Sequence, residues 1–196
     1  MKFQKRHLPS LYREDVLTDT LKYEQNFQYM IPILKEVELA EEDFFDLKNY
    51  CTQKGLEFLC TPFDLSSVDF LMKLGVNAFK IASADLANLE LLEYVAGKGK
   101  PMLVSTGMSY WEEIEKAVSL LKDKNVPFAL LHCRSVYPVW PREVNLRMVG
   151  LAAPLAILGT TSASRSLSWP HPWEPALLKN TSPWTGACAV LITKSA

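Results

Sequence analysis

The chain has 196 residues, 48% of them hydrophobic and 22% charged, which suits one domain with a buried core and excludes wholesale disorder. Its 21 Lys+Arg against 22 Asp+Glu leave a net charge of −1, with no basic stripe for nucleic acid and no polybasic cluster for a membrane surface. No apolar run approaches the roughly 18–20 residues that span a bilayer, and Met1-Lys2-Phe3-Gln4-Lys5-Arg6 leads into no apolar signal segment, so a cytoplasmic location is expected. Cys51, Cys60, Cys133 and Cys188 form no Cys-x-x-Cys pair and read as reduced thiols, neither a disulfide frame nor a zinc site.

Residues 1 to about 40 mix charge with aromatics and show little periodicity. From 41 to 147 a pattern repeats. Apolar runs at Phe58-Leu59-Cys60, Ala78-Phe79-Lys80-Ile81-Ala82, Met102-Leu103-Val104 and Phe128-Ala129-Leu130-Leu131 each end in small or polar residues. Between them lie helical signals. Ser66-Ser67-Val68-Asp69 and Ser109-Tyr110-Trp111-Glu112 have the capping-box pattern, and Gly75 and Gly99 stand where helices stop. Ile114, Val118 and Leu121 share one face of a helix over 112–121. Strand starts roughly 20–26 residues apart leave room for a crossover helix, so the strands are expected to be parallel. No Gly-x-Gly-x-x-Gly follows a strand, which weighs against a dinucleotide fold. Polar residues closing successive strands favour a (β/α)8 barrel, where those positions face one pocket.

The strand ends hold the candidate chemistry. Lys80 interrupts an apolar strand and reads as an anion ligand, a Schiff-base amine, or a lysine reaching out from a strand end. Thr61, Ser83 and Ser105 each stand at or just past a strand end. Turn chemistry explains any one of them, but hydroxyls at three equivalent positions suit phosphate oxygens. Asp85 reads as an acid, a base or a helix cap, and His132 as a hydrogen-bonded core residue before a ligand.

Nine motifs occur in order: Lys2-Phe3-Gln4-Lys5, Cys60-Thr61-Pro62-Phe63-Asp64, Phe79-Lys80-Ile81-Ala82-Ser83-Ala84-Asp85, Asn88-Leu89, Gly99-Lys100-Pro101, Ser105-Thr106-Gly107-Met108, Leu131-His132-Cys133, Tyr137-Pro138 and Val144-Asn145-Leu146-Arg147. Together they resemble the sialic acid synthase family, which includes N-acetylneuraminate, legionaminate and pseudaminate synthases and spore-coat polysaccharide proteins. The resemblance covers residues 2 to about 147. It implies an incomplete (β/α)8 TIM barrel, about strands 2 to 6, over 1–149. It also implies condensation of phosphoenolpyruvate with an N-acylamino sugar of the N-acetylmannosamine type, releasing phosphate. By motif match, Thr61, Lys80, Ser83, Ser105 and Ser135 would hold phosphoenolpyruvate. Lys80 and Asp85 would act in catalysis, and Lys2, Gln4 and Tyr137 would line the sugar side. The family uses a divalent cation, Mn or Mg, to polarise the aldehyde oxygen, and it tends to form homodimers.

The chain departs from the family pattern outside that range. The first-strand Glu-Ile-Gly motif, the seventh-strand Gly-Tyr-Ser-x-His and the eighth-strand Glu-Lys-His are absent, so the metal-binding histidines have no counterpart. His7 and His171 match neither position. The family's small C-terminal antifreeze-like domain is not represented either. From about 150 the composition changes, with three of five tryptophans falling in the tail. Leu178-Lys179-Asn180-Thr181-Ser182-Pro183-Trp184-Thr185 can be encoded so that a shifted frame reads Glu-Lys-His-Ile-Thr-Leu-Asp. Val190-Leu191-Ile192-Thr193-Lys194 likewise allows Gly-Pro-Asp-His-Lys. Residues 150–196 are therefore expected to be an out-of-frame tail, irregular or disordered, on a chain with impaired turnover and poor folding. The competing readings are an inactive fragment, a non-catalytic interaction module, and another barrel aldolase that uses phosphoenolpyruvate or a Schiff base.

Overall fold

The computed structural model describes residues 1–19, 21, 25–136 and 143, together with short strands at 155–157, 159–160, 176–180 and 188–192. The chain divides into two compact units, 1–80 and 81–196.

In the first unit, β1 (Lys2–Lys5) and β2 (Leu59–Pro62) run parallel with Gln4 beside Thr61, and β2 pairs with β3 (Phe79–Ile81) through Cys60 and Phe79. The stretch without readable periodicity holds three helices: α1 (Leu8–Leu11), α2 (Glu14–Thr18) and α3 (Gln25–Val37). The first two are about one turn long, too short to display a 3.6-residue period. The third contains Pro32 and leaves Tyr29, Ile33 and Val37 exposed while burying Ile31, so it presents no clean apolar stripe. Helices α4 (Glu41–Gln53) and α5 (Leu65–Leu74) cover the strands. Phe44 of α4 meets Phe70 of α5 edge to face at 5.7 Å, and Phe3 stacks on Phe58 at 4.9 Å. Gly75 ends α5 in the left-handed conformation at φ 77°, where only glycine is unstrained, and the Lys48 ammonium donates to the Leu74 carbonyl at 2.6 Å.

In the second unit, β4 (Met102–Ser105) and β5 (Phe128–His132) are parallel, with Ser105 beside Leu131. Helices α6 (Leu89–Ala96) and α7 (Trp111–Asp123) pack together, burying Leu91, Leu92 and Val95 on one and Ala117 and Leu121 on the other. The expected face of α7 is present: Ile114 and Val118 are half-buried and Leu121 is buried.

Every strand expected between residues 58 and 131 forms, each within a residue or two of its apolar run. The caps differ from expectation. The N-cap of α5 is Asp64, two residues before Ser66, and that of α7 is Tyr110, whose amide donates to Glu113 at 2.7 Å. A cap is decided by which residue leaves the helix with free amides above it, and several nearby side chains can offer an acceptor. The left-handed Gly99 (φ 69°) lies three residues beyond the end of α6.

Within the stretch expected to be irregular, four short strands are present. β6 (Leu155–Ile157) pairs parallel with β5, placing Leu155 beside Leu130. β7 (Gly159–Thr160), β8 (Ala176–Asn180) and β9 (Cys188–Ile192) form an antiparallel sheet in the order β7-β9-β8. Leu177-Leu178 and Val190-Leu191-Ile192 are short apolar, β-prone runs that can pair without a long-range period. The rest of 150–196 lies outside the described residues.

Candidate active site

Pairing register sorts Lys5 and Lys80, both buried lysines of the first unit. Side chains alternate across a strand, and directly paired residues of a parallel sheet share a face. Phe3, Cys60 and Phe79 occupy one face with Lys5. The Lys5 ammonium sits 2.7 Å from Glu38 and over the rings of Phe44 and Phe70, so this face meets α4 and α5. Lys5 is thus a structural cation, paired and shielded by aromatic rings. One residue further along, Gln4, Thr61 and Lys80 fall in a row on the opposite face. Thr61 and Lys80 are buried, at 2% and 5% exposure, while Gln4 and Lys2 are exposed. A buried ammonium next to a buried hydroxyl, on the face turned from the helices, can receive a phosphate or carboxylate.

The second unit gathers the remaining hydroxyls. Ser83 and Asp85 belong to a 3-10 turn following β3, and both are half-buried. Asp85 does not cap α6: that role belongs to Asn88, whose side chain accepts from the Leu91 amide at 3.2 Å. The Ser83 hydroxyl accepts from the Gly107 amide at 3.1 Å. Ser105 is buried at the end of β4. The next residue, Thr106, donates both its amide (3.1 Å) and its hydroxyl (3.2 Å) to the Leu131 carbonyl. Ser135 is exposed, with its hydroxyl close to Gly107. His132 closes β5 half-buried. Tyr137 lies outside the described residues.

Two further residues shape the strand ends. Asp64 was visible in its motif, but its role was not. Its carboxylate accepts from the Ser67 amide, the Ser67 hydroxyl and the His7 amide, each at 2.7 Å. It therefore caps α5 and also ties down the loop after β1. Asp64→Ala is expected to destabilise the chain by about 2–3 kcal/mol, since it strands three donors, and Asp64→Asn by less because one carbonyl acceptor remains. Urea denaturation of the two variants checks this, and equal losses would count against it. Cys60, on the helix-facing side of β2, is fully buried. Burial pushes its thiol up to about 12, so it stays protonated and inert at neutral pH.

Among the described residues no three His, Cys, Asp or Glu side chains converge to hold a metal ion. His7 is engaged instead with Ser10, at 2.6 Å, and His171 lies outside the described residues.

Parallel strands with intervening helices, and a lysine with hydroxyls at successive strand ends, define an α/β protein of incomplete (β/α)8-barrel type. The chain belongs to the NeuB family, whose sequence model matches residues 1–153. It is 43% identical over 150 residues to an uncharacterised protein of Methanocaldococcus jannaschii, an alignment covering 76% of this chain and 41% of that one. It is 38% identical over 129 residues to the N,N'-diacetyllegionaminic acid synthase of Legionella pneumophila, covering 63% and 36% respectively. Among solved structures it resembles the N-acetylneuraminic acid (sialic acid) synthetase of Leptospira borgpetersenii. The TM-score is 0.66 at 33% identity, over 76% of this chain and 48% of that chain. The chain thus spans less than half the length of these relatives.

Proposed function

We propose that this chain carries the phosphoenolpyruvate-binding part of a nonulosonate synthase. Such an enzyme condenses phosphoenolpyruvate with an N-acylamino sugar of the N-acetylmannosamine type and releases phosphate. The observation that carries this reading is the buried row of Thr61 and Lys80 on the face turned from α4 and α5. Lys80 neutralises the phosphoenolpyruvate anion, and Thr61, Ser83, Ser105 and Ser135 orient it through hydroxyl bonds. Asp85 supplies a carboxylate on the same turn as Ser83, in the role of proton acceptor or donor. Lys2 and Gln4, exposed on β1, line the sugar side with Tyr137. The divalent cation enters this proposal as a requirement of the complete site, and none of the described residues is assigned to it. Residues from about 150 are taken as out-of-frame. Resequencing the DNA from about codon 140 tests that part: a frame restored by a one-base correction supports it, and an unbroken alternative with no family motif removes it.

Calorimetric titration of the 196-residue chain with phosphoenolpyruvate tests the binding reading. Saturable binding displaced by inorganic phosphate is expected. No binding at millimolar phosphoenolpyruvate would overturn it.

A further inference from the structure

Gly107 lies between two of the hydroxyls assigned to phosphoenolpyruvate. On one side its amide donates to the Ser83 hydroxyl at 3.1 Å. On the other, a methyl group at its Cα would stand 2.9 Å from the Cys133 Cβ, 3.0 Å from the Ser135 hydroxyl oxygen and 3.1 Å from the Cys133 carbonyl carbon. The first and third of these atoms are backbone or the root of a side chain, so a flexible tip cannot simply swing aside. The preceding residue is held as well, because Thr106 grips the Leu131 carbonyl twice. The loop after β4 therefore cannot back away from the loop after β5 without breaking these bonds.

We propose that Gly107 is a positioning residue for the anion site, setting the Ser83 and Ser135 hydroxyls by its amide and by its missing side chain. This rests on the binding reading above. A serine hydroxyl has one proton and two lone pairs. Accepting from the Gly107 amide occupies a lone pair and fixes the oxygen, leaving the proton to be given to a phosphate or carboxylate oxygen. Bonds in series also polarise one another, so the amide makes the Ser83 hydroxyl a better donor. The absent Cβ does separate work: it lets the 133–135 segment close against the loop, which brings Ser135 within reach of the same ligand. A side chain at 107 would push these groups apart by several tenths of an ångström, and small misplacements of this kind weaken a preorganised site.

The test uses the full chain and phosphoenolpyruvate, read by calorimetry beside a thermal melt. Gly107→Ala is expected to lower affinity about tenfold or more. Gly107→Ala combined with Cys133→Gly, which removes the nearest opposing carbon, is expected to recover much of that loss. Ser83→Ala leaves the glycine's packing untouched and gives a second route if Gly107→Ala fails to fold. It should weaken binding comparably, and the Gly107→Ala/Ser83→Ala pair should bind more weakly than either single variant, because the amide and the missing side chain set different hydroxyls. If the unsubstituted chain binds while Ser83→Ala, or a folded Gly107→Ala, binds equally well, the positioning role is overturned and the binding reading stands. If the unsubstituted chain itself does not bind, both fall.

Discussion

Lys80→Met is expected to lower phosphoenolpyruvate affinity by about 2–5 kcal/mol, or about 30-fold to several thousand-fold, because one partner of a desolvated charge pair is removed. The side chain lies in β3 between Phe79 and Ile81, both with no exposure, and is itself 5% exposed. An anion arriving there meets little competing water, so the ammonium acts in a low local dielectric where its attraction is poorly screened. Methionine has nearly the same length and volume and keeps the packing of β3, which confines the change to charge. Lys80→Arg keeps the charge but replaces a compact ammonium by a bulkier planar fork at a buried position, so partial recovery is expected. Calorimetry on the two variants decides the matter. Methionine binding within a factor of two of the parent would show that Lys80 does not meet the ligand.

Phe44→Ala is expected to destabilise the chain by about 3–5 kcal/mol, the usual cost of truncating a fully buried phenylalanine. Phe44 is 1% exposed, lies edge-on to Phe70 at 5.7 Å and supports the Lys5 ammonium at 5.4 Å from its ring centre. The deletion therefore opens a cavity and strips one aromatic face from a buried cation that pairs with Glu38. Phe44→Leu fills most of the volume and should cost about half as much or less, since the cavity is smaller. Equilibrium urea unfolding reads both effects. A loss below about 1 kcal/mol for alanine would mean that the α4–α5 layer does not hold β1 in place.

Lys80 and Phe44 belong to opposite faces of one short sheet, and that separation was only partly legible in the sequence. Lys80 stood out because it breaks an apolar run. Lys5 did not, because β1 is four residues long and its neighbours are polar. Nothing local distinguishes a lysine that leans on phenylalanines from one on the opposite face of the sheet. The difference comes from register, which puts Lys5 with Cys60 and Phe79 and puts Lys80 with Thr61 and Gln4. A shift of one residue would exchange the two roles.

The sequence alone determined the strand positions from 58 to 131, the helical face of α7, the break at Gly75 and the family motifs. Apolar period, glycine chemistry and motif order are local properties that a linear text preserves. Tertiary structure alone decided that Asp64 and not Ser66 caps α5, that Asn88 and not Asp85 caps α6, and that Gly107 is wedged between Ser83 and Cys133. The two caps are bonds to amides three residues along, where several neighbouring side chains could serve and the path of the backbone into the helix selects one, whereas the Gly107 contacts join residues more than twenty apart and are set by packing and not by spacing along the chain.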